Sequence, residues 1–399
     1  MAKGFKINGI DFDDLFHAPV SGIGTATFTG LNPTCTYTKR VSGSNPNAAG
    51  YWKYNGVAYD AQSINEELWE YIPLTLQARG AGNISITKKN DPGTIYYSKN
   101  GGSQTVLDSG VNISVNTGDR VSFYRTLSNN LGDSKYFTIN CTNNCYVYGN
   151  IMSLYNRNNF SNLTTIQYEY AFYNLFNRNS YIDINESVGK LVLPATTLAQ
   201  DCYEYMFNRC TSLTTAPTLP ATTLANACYY DMFNYCTNLT TPPSILPATT
   251  LAEECYSSMF SHCTSLTTAP TLPATTLADY CYYAMFRGCS SLTTAPSILP
   301  ATTLANACYE SMFRNCSSLT TAPTLPATTL VSYCYEQIFS YCTSLTTITC
   351  LATNISAYGC TSAWVGDVAS SGTFYKNSAM SSWTTGTNGI PSGWTVRNA

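Results

Sequence analysis

Charge is scarce in this chain. Of 399 residues only 11% are Asp, Glu, Lys or Arg, and the net charge is -3, whereas an average soluble domain carries about a quarter charged residues. Bases are not concentrated anywhere, so the phosphate neutralisation that nucleic-acid binding requires is missing and anionic lipid is a poor partner. No run of about 18 apolar residues occurs, which excludes a membrane-spanning helix. Histidine is nearly absent: the two present, His17 and His262, lie in different regions, which argues against Ser-His-Asp or Cys-His catalysis. A P-loop, a dinucleotide fingerprint, an EF-hand loop and a C-x-x-C redox pair are also missing. No catalytic residue, cofactor or metal is therefore expected.

Tyrosine, 31 residues of it, takes the place of charge together with Thr, Ser and Asn. The opening residues "MAKGFKINGIDFDDLF" place Asp11, Asp13 and Asp14 where an export signal would be apolar. Sequons such as those at Asn83, Asn112 and Asn238 read as unmodified polar positions.

Self-similarity dominates the second half. "LPATTL" recurs at 193–198, 219–224, 246–251, 272–277, 299–304 and 325–330, in steps that alternate between 26 and 27 residues. Between the copies runs a second motif, from "CYEYMFNRC" at 202–210 to "CYEQIFSYC" at 334–342. Its cysteines are Cys202/Cys210, Cys228/Cys236, Cys255/Cys263, Cys281/Cys289, Cys308/Cys316 and Cys334/Cys342. Plotted at about 100° per residue, Cys, Tyr, Met, Phe and Cys share one face of a helix. The opposite side changes from copy to copy, with Glu204, Tyr205, Asn208 and Arg209 in one and Ser257, Ser258, Ser261 and His262 in another. Thr250 with Glu253, and Thr276 with Asp279, look like caps for such helices.

Eight residues of helix span about 12 Å, and packed helix axes stand about 8–10 Å apart. Bridged Cα atoms lie within about 7 Å, so disulfides within or between copies do not fit. Zinc spacing is absent, and the twelve thiols read as reduced, small apolar wedges in a structural ladder. "SLTTAP" then supplies a short strand and its Pro an extended turn. One helix and one strand per copy describe an α/β solenoid of leucine-rich-repeat type. It has six regular coils, capped by degenerate copies at 171–179 ("AFYNLFNRN") and 360–368 ("CTSAWVGDV").

Residues 77–150 alternate apolar and polar positions between "DPG", "NGG" and "NTGD" breaks and read as a small antiparallel β-sandwich. Cys141 and Cys145 suit either a bridged turn or a pair of free thiols, and Cys350 and Cys360 are open in the same way. Residues 1–76 suggest hairpins at Asn8-Gly9 and Asn55-Gly56 and a short helix with a Ser63–Glu66 capping box. The organisation expected is thus 1–76 attachment region, 77–150 sandwich, 151–369 solenoid with caps, and 370–399 β-rich cap.

The pattern "YxxMFxxCTSLTTAPTLPATTL" resembles the BspA-like leucine-rich repeats of surface proteins from gut and oral Bacteroidetes and of their phages. The resemblance covers residues 146–399 and implies exterior display and binding to proteins or glycans. "FKINGIDFDDLF" resembles the start of many phage tail and fibre proteins, where it holds the protein on the virion. Together these imply a phage appendage on the virion exterior, joined to other virion proteins by its N-terminal region and touching a host surface protein or glycan. A homotrimer is what a fibre would suggest, although no heptad or collagen-like stretch supplies one. A bacterial cell-surface adhesin and a capsid decoration protein are the alternatives.

The candidate recognition surface is the variable side of the repeat: Tyr205, Tyr230, Tyr235, Tyr283 and Tyr341, with Arg209, Arg287 and Arg314. Tyrosine offers a large, stiff contact area with a hydrogen-bonding tip. A second candidate is the hydroxyl-rich strand face at Thr214, Thr215, Thr240, Thr241, Thr267 and Thr268.

Overall fold

The structure, a computed structural model, describes residues 69–399 apart from Pro92 and Ser382, and six short strands upstream. Those strands are β1 (Lys6–Ile7), β2 (Ile10–Asp11), β3 (Gly24–Phe28), β4 (Cys35–Arg40), β5 (Tyr51–Tyr54) and β6 (Val57–Asp60). β1 pairs with β2, placing Ile7 opposite Ile10, and β3 to β6 form a four-stranded antiparallel sheet with Tyr54 opposite Val57. The turn residues Asn8-Gly9 and Asn55-Gly56, the Ser63–Glu66 box and His17 lie outside the described residues.

Alternating polarity builds the next region. β7 (Thr75–Ala78), β8 (Gly82–Lys89), β9 (Ile95–Lys99), β10 (Thr105–Val106), β11 (Ile113–Val115), β12 (Arg120–Arg125), β13 (Tyr136–Cys141) and β14 (Cys145–Asn150) form two antiparallel groups. One has the order β10-β9-β12-β7-β14 and the other β11-β8-β13. Every second residue of β12 and β13 is buried, as a period of two requires. Ile84, Ile86, Val121, Phe123 and Ile139 belong to one core with the repeats, a single buried cluster running from Leu74 to Trp394. β14 carries the junction: it pairs in parallel with β15 (Ile182–Asp183) and β16 (Leu191–Val192), both in the first coil.

The repeats are not α-helical. Each expected helix is instead a succession of tight turns in which every fourth residue has positive φ: Asp201 (52°), Tyr205 (55°) and Arg209 (60°) in one coil, Glu254 (53°), Ser258 (53°) and His262 (59°) in another. A run of nine residues cannot separate the two readings by burial alone, because a two-in, two-out pattern of period four and a helical stripe bury the same positions. Backbone hydrogen bonding separates them. Alternate N–H groups close turns three residues back, Glu204 to Asp201 (3.2 Å), Met206 to Tyr203 (3.2 Å) and Asn208 to Tyr205 (3.1 Å). The others reach the next coil, Tyr203 to Cys228 (3.0 Å), Tyr205 to Tyr230 (3.0 Å) and Phe207 to Met232 (2.9 Å). From Tyr203 to Cys210 every donor is thereby used, half for the turn and half for the stack. Thr250 and Thr276, expected as helix caps, form a parallel bridge with each other instead.

Inside the stack, equivalent side chains sit one above another. Phe176, Phe207, Phe233, Phe260, Phe286, Phe313 and Phe339 are stacked with ring centroids 5.4–5.9 Å apart. A second column runs Phe172, Tyr203, Tyr229, Tyr256, Tyr282, Tyr309, Tyr335, Trp364 at 5.4–6.4 Å. All twelve repeat cysteines are buried and free, as are Cys141, Cys145, Cys350 and Cys360. The second cysteine of each copy donates its S–H to the phenylalanine carbonyl of the preceding coil, as in Cys236 to Phe207 (3.0 Å) and Cys263 to Phe233 (3.1 Å).

The strand expected in each copy is mostly a single parallel bridge, such as Thr215 to Thr241 and Thr268 to Thr294. A longer strand appears at β17 (Thr347–Cys350), which pairs in parallel with β18 (Thr373–Lys376) and, through it, β19 (Thr395–Asn398). At this end the donors of the last turn segment find Asn388: its Oδ1 accepts from the Ala363 N–H (2.7 Å), and its carbonyl from the Thr361 hydroxyl (2.9 Å). Trp364 stacks on Trp383 at 5.3 Å and donates to the Gly389 carbonyl. At the other end, the Ile139 N–H of β13 donates to Leu175 as a preceding coil would.

Candidate binding surface

With the core columns fixed, the outward columns within each Cys-to-Cys segment are the positive-φ residue and the residue before it. The turns bring Tyr170, Tyr173, Tyr205 and Tyr230 into one chain of edge-to-face contacts, with centroids 5.4, 5.9 and 5.7 Å apart, and Tyr136 of β13 joins Tyr173 at 5.2 Å. Such pairs contribute about 0.5–1.5 kcal/mol each beyond burial. Tyr235 belongs to a second group, sandwiched between the Arg209 guanidinium (4.6 Å) and the His262 ring, stacked nearly parallel at 4.3 Å. Arg314 lies over Tyr341 (5.6 Å) and donates to Gln337. Tyr283 meets Tyr280 at 6.1 Å, and Arg287 is half-buried with its carbonyl accepting from the His262 N–H. The sequence-derived residues thus fall into separate groups, and most are half-buried against one another.

Carboxylates sit among the tyrosines. Burial, reinforced by Asp201, Asp231, Glu254 and Asp133, pushes the Glu204 carboxyl up to about 8. Burial also takes Asp231 to about 7, against the pull of an Asn234 hydrogen bond and Arg209, and Glu310 to about 7 with help from Glu336. The same environment raises the Tyr170 and Tyr205 hydroxyls and takes those of Tyr173 and Tyr230 to about 12. Around neutral pH the patch carries less negative charge than its composition suggests. His262 is depressed by burial and by Arg287 and Arg209. Its Nδ1 shares a 2.9 Å hydrogen bond with the Ser261 hydroxyl, but Ser261 is only 4% exposed, so that hydroxyl offers no accessible nucleophile.

Tyr170 and Tyr173 join the surface without having been singled out from the sequence, and His262, placed on the variable side by the sequence, joins it through Tyr235. Aligning the degenerate copy on the regular ones would find Tyr173, because Ala171 takes the place of the first cysteine and Tyr173 then shares the column of Glu204, Tyr230 and Tyr283. On the strand face, the hydroxyls of Thr214 and Thr240 are engaged. Thr214 donates to the Asp183 carboxylate (2.8 Å) and Thr240 to the Thr214 carbonyl (3.2 Å). Thr215, Thr241 and Thr268 carry the parallel bridges.

No family model and no curated protein matches the chain. Among solved structures, a leucine-rich repeat protein from Bacteroides ovatus ATCC 8483 is similar at 16% identity. The likeness covers 59% of this chain and 79% of that one, with a TM-score of 0.21. So loose a superposition leaves the reading of this chain to its own geometry.

Proposed function

We propose that this chain is a non-enzymatic surface-binding protein whose repeats form a solenoid of leucine-rich-repeat type. It acts on the exterior of a phage particle, as a tail fibre or other appendage, and contacts a protein or glycan of the host surface. The observation that supports this most is the division of labour among columns. The buried Cys, Tyr, Met and Phe positions repeat coil after coil, while the outward ones vary and gather Tyr170, Tyr173, Tyr205 and Tyr230 into one aromatic patch. A scaffold needs the first set; recognition makes use of the second. The N-terminal region supplies attachment, in keeping with the resemblance of "FKINGIDFDDLF" to fibre proteins.

Titration of the purified full chain onto intact Bacteroidetes cells tests this. Saturable binding to some strains, displaced by phage particles that carry the chain, is the expected result. Saturable binding that particles do not displace would assign the chain to a bacterial surface adhesin. Absence of binding to every strain would reduce the repeats to a structural decoration.

A further inference from the structure

The first coil is longer than the regular ones: five more residues lie between Asn179 and Leu193 than between Cys210 and Leu219. The extra chain does not trail loosely. Asp183 Oδ1 accepts from the Thr214 N–H (3.0 Å) and hydroxyl (2.8 Å), tying its start to the second coil. Asn185 Oδ1 accepts from the Ser187 N–H (3.0 Å) and hydroxyl (2.7 Å), and its carbonyl from the Val188 and Gly189 N–H groups. Gly189 is pressed so close to Tyr148 and Trp69 that a Cβ would stand 2.7 Å from the Tyr148 ring. The loop therefore stands as a fixed wall beside the threonine columns, and between them opens a cleft of about 500 Å³.

The groups facing this cleft have spare hydrogen-bonding capacity. The hydroxyls of Thr215, Thr218 and Thr241 and the Nδ2 of Asn185 make no hydrogen bond among the described residues, in contrast to the engaged Thr214 and Thr240. Glu186 lines the wall, exposed and without an ion-pair partner among the described residues. The half-buried Pro242 supplies C–H surface, and no Lys or Arg lines the cleft. An anion is therefore disfavoured, and a peptide finds no deep apolar pocket for an anchor side chain. A neutral ligand dense in hydroxyls matches the lining: its O–H groups donate to Glu186 and both give and accept at the threonines.

We propose that this cleft binds the end of a neutral oligosaccharide, about two or three pyranose rings given its volume. It is built from columns other than those of the tyrosine patch and does not depend on it. Saturation-transfer NMR on the full chain tests the proposal, with free neutral trisaccharides of glucose, mannose, galactose and N-acetylglucosamine and with trigalacturonate as the acidic probe. Saturable transfer to at least one neutral trisaccharide is expected, with none to trigalacturonate. Thr218→Trp, a bulky change at an exposed position, should remove the signal, and Glu186→Gln should weaken it by about tenfold, as loss of a charged hydrogen bond does. Both variants should keep the parent melting temperature. Tyr205→Ala should leave the sugar signal unchanged, so failure of the tyrosine-patch reading and failure of this one are separable. No transfer to any neutral trisaccharide, transfer untouched by Thr218→Trp, or preference for trigalacturonate would each overturn the proposal.

Discussion

Asn315 has a φ of 63°, at the position where other coils hold Arg209, Tyr235, His262, Gly288 and Tyr341, each also at positive φ. For an L residue this region costs about 1–2 kcal/mol, least for Gly and Asn and most for β-branched side chains. Asn315→Gly should stay within about 0.5 kcal/mol of the parent in urea unfolding, because relief of the Cβ is set against a freer unfolded chain. Asn315→Val should lose about 1–2 kcal/mol. Equal losses for the two would contradict the left-handed geometry. The inward residues at these turns are legible from sequence, since Cys, Tyr, Met, Phe and Cys repeat without regard to what surrounds them. Their backbone is not: Ala227, Tyr205 and Tyr280 at positive φ go against their own preferences, and the recurring hydrogen bonds to the next coil hold them there.

Among elements, the turn segment has the clearest consequence. Its outward face half-buries Glu204 and Glu310 and buries Asp231, with carboxyls raised to about 8, 7 and 7 for Glu204, Asp231 and Glu310. In the unfolded chain these groups titrate near 4, so the folded state binds more protons between roughly pH 4 and pH 8. A raised folded pKa contributes stability that is complete below the unfolded value and is lost as pH rises through the folded one. Melting temperature should therefore fall from about pH 5.5 to about pH 8.5, and Glu204→Gln should flatten that fall. A melting temperature that rises over the same interval would contradict the burial of these carboxyls. The composition of this face can be read in advance, but its grouping cannot. Tyr205 meets Tyr230 and Tyr173, while Tyr235 turns to Arg209 and His262, because the period of the turns is four and not 3.6.

At the scale of the molecule, one buried cluster joins the antiparallel strands to the repeats, and each end of the stack has its donors or acceptors met by other segments, Ile139 at one end and Asn388 at the other. Repeats of this kind are stable through their neighbours, not singly, so the fold rests chiefly on the repeated inward columns while the outward ones vary. The 26- and 27-residue period and its caps are visible in the sequence; the direct pairing of β14 with the first coil is not, because it depends on contacts between β15, β16 and a strand distant in sequence. The most direct measurement compares two full-chain variants for binding to a strain that the parent saturates. In one, Tyr205, Tyr230, Tyr235, Tyr283 and Tyr341 are all replaced by Ser; in the other, Thr268, Thr294 and Thr321 of the strand face are replaced by Ala. Loss of cell binding in the first with retention in the second is the expected result, both variants remaining folded. Retention in the tyrosine variant, or loss only in the threonine variant, would contradict recognition through the turn face.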